Sequence, residues 1–564
     1  MSDKKKLPIG EIRYKLASSM YYVDKTLFIR DYIDKRDTVT LITRPRRFGK
    51  TLTMNMVRTF FEKTEEDTSV FFRDKKIWSC GEKYTKEQGS CPVIWLTFKD
   101  VKYSSWDKSL TEVGYQISKE FKRHKELEAS PSLSDEDRQT YRMFVREEAP
   151  ENKIIHSVEI LSRMLHDHWK KAPLVIIDEY DTPISFAYSK GFYDEAIEFM
   201  RNFYSSALKD NEDLGYGLLT GILRVSKESL FSGLNNFIPN SILSTDYDQY
   251  FGFTHDEVKD MLTYYGLEDK LDEACGWYDG YKFGNAEIFN PWSILNYVKY
   301  EGEPGIYWGN TSDNSIVREL LTEPDYQTRE KIRSLLEGNS VSARINENLT
   351  YPELKKNHDN VFNLLFLSGY LKVAENKAYM STGTAPAAVY DLEIPNKEVR
   401  CIYEDEIIEM FTDADAPLYD IWPAIIAADE KTVQNEIDQF IFNTCSYQNS
   451  GELLYQGIVI GLTAFKSREY CIRRKRESGL GRYDLEMEPL DKSKPGVVFE
   501  VEYATPAQMN RDAGILSKLA VKAVSQIDDK KYCANLRMRG VKEILKVGMA
   551  FSDKQVSVKI VPEP

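Results

Sequence analysis

The octapeptide RPRRFGKT, residues 44–51, constrains this chain most because of what flanks it. An apolar, β-branched run (Thr38, Val39, Thr40, Leu41, Ile42, Thr43) precedes it, and a helix-like stretch over 52–61 follows. A strand, a tight loop and a helix opening on Gly-Lys-Thr form the context that a phosphate-binding loop requires. Gly49 lets the backbone approach a phosphate closely, Lys50 can reach β- and γ-phosphates, and the Thr51 hydroxyl can hold Mg²⁺. The first N–H groups of the helix do the cradling. One position departs from G-x-x-x-x-G-K-S/T: Arg44 stands where the first Gly is expected. Pro45, Arg46, Arg47 and Phe48 make the loop stiffer and more basic than usual. The whole segment, Arg44 through Thr51, is expected to contact ATP.

A second element belongs with it. Leu174, Val175, Ile176 and Ile177 form a short continuous apolar run, as expected of a strand buried on both faces of a parallel sheet. It ends in Asp178-Glu179. An Asp there can hold the Mg²⁺ of a nucleotide, and the adjacent Glu is placed to polarise an attacking water. The plain alternative is a strand-end turn, which leaves the upstream loop unexplained. A third strand-like run, 214–221, ends at Thr220, with Arg224 just beyond. Ligands of open parallel sheets bind at the carboxyl ends of strands. Thr220 could therefore sense a γ-phosphate, and Arg224 could place charge on it in the transition state. A capping hydroxyl and a surface ion pair explain these two residues equally well.

With 564 residues the chain is too long for one core, and roughly three or four domains are expected. No apolar run approaches the ~20 residues of a membrane helix, and residues 1–6 are charged with no apolar signal core behind them. Seven scattered cysteines without a C-x-x-C pair fit a reducing cytoplasm and argue against a zinc ribbon or a disulfide framework. A net charge of −14 disfavours indiscriminate binding of polyanions, so any nucleic-acid contact needs a local basic face.

Residues 1 to about 250 read as alternating strands and helices, with another strand at 92–98 and a polar, acid-rich helical excursion at 130–152. From 254 to about 385 the pattern turns largely helical, with the aromatic segments GWYDGYKFGN and FNPWSILNYV. A lid over the nucleotide or a plain connector would look alike. From about 389 the chain is mixed α/β, ending in strands at 496–503 and 547–551.

That last region carries a second constellation: GRYDLEME, then VVFEVE, then a helix with Gln526, followed by Tyr532. Asp484 and Glu500 on successive strands could share a divalent cation that activates water for phosphodiester hydrolysis. Glu452 could add a carboxylate, and Arg473, Arg474, Lys475, Arg476 and Arg482 could neutralise phosphates. A hairpin with acidic outer faces and a solvated basic turn is the equal alternative.

Taken together, YYVDKT (21–26), RPRRFGKT, LVIIDEYD, LLTGILRVSKESLFSGLNN, GWYDGYKFG and FNPWSILNY resemble the bacterial AAA-ATPase-like family, whose members carry a C-terminal domain of the PD-(D/E)XK nuclease superfamily. IPNKEV (394–399) resembles the segment that opens the C-terminal half. The resemblance implies that Lys50 and Thr51 bind nucleotide and that Asp178 and Glu179 are the Walker B pair. It implies that Asp484 binds metal, that Glu500 is the acid of (D/E)-x-K, and that Gln526 is the superfamily's helical Gln. The lysine of (D/E)-x-K should stand at 502, where this chain has Glu502. Alternate strand residues share a face, so Glu502 projects beside Glu500. Either a lysine acts from elsewhere (Lys518 or Lys522), or Glu502 is a further metal ligand, or the site is inactive.

The expected fold is therefore α/β. It comprises a P-loop domain with a parallel sheet (1–253), a helical lid region (254–388) and a smaller restriction-endonuclease-like α/β domain (389–564). The expected protein is a cytoplasmic ATPase using ATP and Mg²⁺ and directing the C-terminal domain to nucleic acid, with oligomerisation open. Its rival is an ATP-dependent switch or scaffold with an inactive nuclease-like domain.

Overall fold

The computed structural model describes residues 4–224, 237–309, 326–336, 338–347, 351–353, 358–382, 385–403, 421–444, 459, 466, 469–474, 477–478, 481–482, 485–512, 514–552 and 555–563. The chain forms two compact units, one of Met1–Ser312 with Ser340–Arg400 and one of Asp313–Asn339 with Cys401–Pro564.

The first unit is built on a parallel sheet. Its strands are β1 (Val39–Thr43), β2 (Val93–Thr97), β3 (Leu174–Asp178), β4 (Tyr216–Gly221) and β5 (Phe237–Asn240), in the order β2-β3-β4-β1-β5. All four pairings are parallel. Every residue of β1 and of β3 is buried, as covering a parallel sheet on both faces requires. Because β4 lies between β1 and β3, the ends of three strands converge, and those ends carry Arg44, Asp178 and Thr220. The polar tract 130–152 contains the helix Asp135–Val145, opened by a reciprocal Ser134–Asp137 capping box, and the start of the helix Glu151–Ile155.

Within 254–388, expected to be largely helical, the structure joins helices with strands. The helices His255–Tyr265, Leu271–Tyr278 and Pro291–Lys299 share a core of Val258, Met261, Tyr278, Ile294 and Tyr297. Between them sits a hairpin of β6 (Tyr281–Phe283) and β7 (Ala286–Ile288). An antiparallel sheet of order β8-β10-β9 follows, made of β8 (Val341–Arg344), β9 (Lys372–Thr382) and β10 (Ala385–Glu393). Strands of three residues carry too little pattern to be read. The strands β9 and β10 are rich in Ala, Lys and Glu, which are depleted in sheets.

The second unit centres on a mixed sheet of order β11-β14-β15-β16-β17. Its strands are β11 (Tyr470–Arg474), β14 (Leu485–Pro489), β15 (Gly496–Tyr503), β16 (Ile544–Ser552) and β17 (Gln555–Glu563), with a short ribbon of β12 (Glu477–Ser478) and β13 (Gly481–Arg482) beside it. The parallel pair β15 and β16 is bridged by the helix Ile515–Asp529. Along β15 the side chains alternate: Val497, Phe499 and Val501 join one core with Trp422, Ile425, Val433 and Ile437, while Val498 packs with Ile527 on the other face. Glu500 and Glu502 share the face of Val498. The helix comes down close over β16 at Gly548, where a Cβ would lie 2.3 Å from the Ala520 carbonyl oxygen. Gly548 is the register partner of Glu500, so the helix is held directly beside it.

Candidate functional site

At the end of β1 the chain turns through Gly49, whose φ of +83° suits glycine and where a side chain would meet open space. The helix Lys50–Phe61 starts there. Lys50 is buried, and its ammonium donates to the carbonyls of Arg44 (3.1 Å) and Pro45 (3.0 Å). It also lies 3.6 Å from Glu179 Oε1. Thr51 donates its hydroxyl to Asp178 Oδ2 at 2.7 Å, and Thr220 donates to Oδ1. Burial, and then the Glu179 charge, pushes the Asp178 carboxyl above its ordinary value. A hydroxyl and a carboxylate in contact are the hard oxygen donors that Mg²⁺ takes, with Lys50 one residue away for phosphate, so these residues fit a magnesium nucleotide. Glu179 holds a φ of +55°, a strained value for a residue with a side chain.

The remaining loop residues serve to anchor the loop. Arg44 is fully buried and donates to the carbonyls of Thr43 (2.8 Å) and Asn240 (2.9 Å). Its guanidinium sits 5.6 Å from the Phe251 ring centre and 5.2 Å from that of Phe283, and Nε and Nη2 have no partner among the described residues. Burial pulls its pKa down to about 9. Of Arg44, the carbonyl accepts from Lys50, and the guanidinium is sequestered beside two aromatic rings. Phe48 is buried against Tyr281 and Phe283, with ring centres at 4.9 and 5.1 Å. Pro45 lies under Gly369, where a Cβ would come within 2.9 Å of it. Arg47 stacks over Trp292 at 4.4 Å, and the Arg46 carbonyl accepts from Trp308 Nε1 at 3.3 Å.

Trp308 is tied further back. Its backbone N–H and that of Tyr307 donate to Oε1 of buried Glu398, at 2.7 and 2.6 Å, and Ser293 donates to Oε2 at 2.7 Å. Burial lifts the Glu398 carboxyl to about 7. Its neighbour Asn396 donates to the Asp279 carbonyl, and Gly280 accommodates Pro395 at a separation no side chain would allow. The segment 394–399 therefore packs in the first unit, against the hairpin that anchors the loop.

Asp181 was not singled out from sequence, although it ends the acidic run 178–181. It is buried, accepts from the N–H groups of Ile222 and Leu223 (both 2.9 Å), and is pushed up to about 6 by burial and then by Glu179. Tyr180 donates to the Leu223 carbonyl at 2.6 Å, and Gly221 has no room for a Cβ beside Tyr180. These bonds fix the segment that leads from Thr220 to Arg224. Arg224 itself is half-buried, and its Nε has no partner among the described residues.

In the second unit, Glu500 is buried and accepts from Gln526 Nε2 at 2.7 Å. Glu502 accepts from Lys522 Nζ at 2.8 Å, while Lys518 pairs with Asp512. Tyr532 packs in the core with Val498, Ile527 and Leu536. Asp484, Glu452, Lys475 and Arg476 lie outside the described residues, as do the side chains of Arg474 and Arg482. Arg473 requires a correction. It is no open phosphate ligand, because it pairs with Glu488 and, at 3.3 Å, with fully buried Glu486, and Arg539 donates to the same two carboxylates. Among the described residues no group of three or more His, Cys, Asp or Glu side chains is arranged to hold a metal.

Residues 10–231 match the family model described as predicted AAA-ATPase, and residues 450–560 match that of the PD-(D/E)XK nuclease superfamily. An uncharacterized protein in the vnfD 5′ region of Azotobacter chroococcum mcd 1 is 24% identical over 577 residues, covering 99% of this chain and 98% of the relative. No helix among the described residues is long and apolar enough to cross a membrane. The chain therefore unites an AAA-ATPase-like domain, by its match over 10–231, with a PD-(D/E)XK nuclease superfamily domain, by its match over 450–560.

Proposed function

We propose that this protein is a cytoplasmic ATPase that couples its nucleotide state to a C-terminal domain acting on nucleic acid. The observation that carries the reading is the convergence of Thr51, Asp178 and Thr220 in one hydrogen-bonded group, with Lys50 and Glu179 3.6 Å apart, at the carboxyl ends of adjacent strands. Mg²⁺, when bound with ATP, supplies positive charge that neutralises the phosphates. Thr51 and Asp178 would hold it. Lys50 leaves the loop carbonyls for the phosphates, and its departure frees Glu179 to accept a proton from, and orient, the attacking water. Thr220, by donating to Asp178, favours its charged form against burial, and Arg224 adds charge at the γ-phosphate. The segment 254–388 acts as the lid, supported by its grip on Pro45, Phe48 and Arg46. In the C-terminal domain Asp484 and Glu500 would supply oxygen ligands to a divalent cation.

A second reading, a switch whose nuclease-like domain only binds, is favoured by one observation: Glu502 occupies the place of the expected lysine. The decisive experiment measures ATP binding by calorimetry and phosphate release for wild type and Lys50→Ala. The same preparation is then assayed on single- and double-stranded DNA and RNA with Mg²⁺ or Mn²⁺, with and without ATP. Equal ATP affinity in the two proteins overturns the ATPase reading. Cleavage by wild type decides against the binding-only switch.

A further inference from the structure

The helix Ile515–Asp529 presents two side chains, one turn apart, to two alternate residues of β15. Gln526 donates to Glu500 at 2.7 Å and Lys522 donates to Glu502 at 2.8 Å. The spacing is dictated by geometry: i and i+4 on a helix lie on one face, and i and i+2 on a strand do likewise. The close seat of the helix on Gly548 brings the two rows together. Of the two lysines on this helix that could serve the site, Lys518 is turned away to Asp512, which leaves Lys522.

We propose that Lys522 is the phosphate-facing cation of the C-terminal site, supplied from the helix to do the work that Glu502 cannot do from the strand. The proposal rests on the reading that this domain acts on nucleic acid. Glu502 then has a defined task, which is to hold the ammonium beside Glu500. The Lys522 side chain is 62% exposed while that of Glu502 is 20% exposed, so the lysine is the partner that faces solvent. A backbone phosphate of DNA or RNA can approach there without breaking the pair. In hydrolysis, the water oxygen bonds to phosphorus as the bridging P–O bond breaks. One water proton ends on the leaving oxygen and the other passes to solvent. Lys522 balances the negative charge that gathers on the non-bridging oxygens.

The test uses the full-length chain as wild type, Lys522→Ala, Lys522→Arg and the exchange Glu502→Lys with Lys522→Glu. Two readouts are taken: cleavage of DNA and RNA with Mg²⁺ or Mn²⁺, and binding of fluorescent oligonucleotides in EDTA across a salt series. The melting temperature and ATP turnover of Lys522→Ala should match wild type, since the ion pair is on the surface. Its cleavage should fall tenfold or more, with partial recovery in Lys522→Arg and in the exchange. Its metal-free affinity should fall several-fold, and its salt slope by about 0.7–0.9, as for one lost phosphate contact. If wild type cleaves and Lys522→Ala equals it in both readouts, the role of Lys522 is overturned while the nuclease reading stands. If no protein cleaves, the nuclease reading fails and the EDTA series alone decides. A weaker, flatter Lys522→Ala series then keeps Lys522 as a phosphate contact of a binding domain, and identical series, or no binding at all, remove it.

Discussion

Thr220 on β4 donates its hydroxyl to the carboxylate of Asp178 on neighbouring β3, and that carboxylate is buried. Burial disfavours its charge, and the donors Thr220 and Thr51 oppose that. The threonine of β4 thus helps to keep a buried Asp ionised. Thr220→Val keeps the shape and removes the donor. It should lower stability by about 2 kcal/mol, the usual worth of a hydrogen bond to a charged group, and slow ATP turnover. Thr220→Ser should retain both. Denaturant unfolding and phosphate release check this, and a Val variant indistinguishable from wild type sinks it.

Glu179→Gln tests the water-activating role. It keeps size and loses the acceptor charge, so turnover should fall by ~10² or more while ATP affinity is kept. Glu179→Gly should lose turnover as well, yet gain on the order of 1 kcal/mol of stability, because the backbone at +55° suits glycine. Unchanged turnover in Glu179→Gln would leave the residue no part in the chemistry.

The sheet and the loop were legible because their code is local: an apolar strand, a turn needing glycine, and two acids at a strand end. What escaped depends on partners far along the chain. Glu398 lies 90 residues from Trp308, and nothing near either residue announces the bond. Arg473 reads as a free cation until the antiparallel register sets it opposite Glu486. Arg44 reads only as a departure from the consensus glycine until Asn240, Phe251 and Phe283 close around it. At Glu502 the sequence leaves three readings open, and only the fold shows that Lys522, rather than Lys518, is the lysine that meets it.

Glu398 should imprint a pH dependence on stability. Its folded pKa of about 7 lies above the ordinary 4.5, so the folded state binds the extra proton between those values. Stability must then fall as pH rises from about 4.5 to about 7. At ~1.4 kcal/mol per pH unit the loss reaches about 3 kcal/mol. Glu398→Gln can still accept from Tyr307 and Trp308, while Ser293 rotates to accept from the new amide. The variant should flatten the melting temperature across that window and exceed wild type at pH 7.5. Parallel curves for the two proteins would contradict this.

Arg44 offers the most direct test of what its departure from glycine is for. If the arginine only fills a space where the consensus has glycine, Arg44→Gly should be harmless or should improve ATP binding. The burial of its side chain between Phe251 and Phe283 argues the opposite. Removing it leaves a cavity behind the loop and should cost about 2–5 kcal/mol, with ATP affinity lost as the loop loosens. Arg44→Met separates volume from charge. It keeps the stem between the rings and removes two donors that have no partner among the described residues, at the expense of the bonds to Thr43 and Asn240. Replacing a buried, poorly paired charge by an apolar side chain of similar volume is often neutral, so Arg44→Met should melt well above Arg44→Gly and bind ATP within a few-fold of wild type. Calorimetry and thermal unfolding on the three proteins decide the matter. A Met variant that melts like wild type yet binds no ATP would show the guanidinium reaching the nucleotide after all, and would require the aromatic enclosure to open when ATP binds.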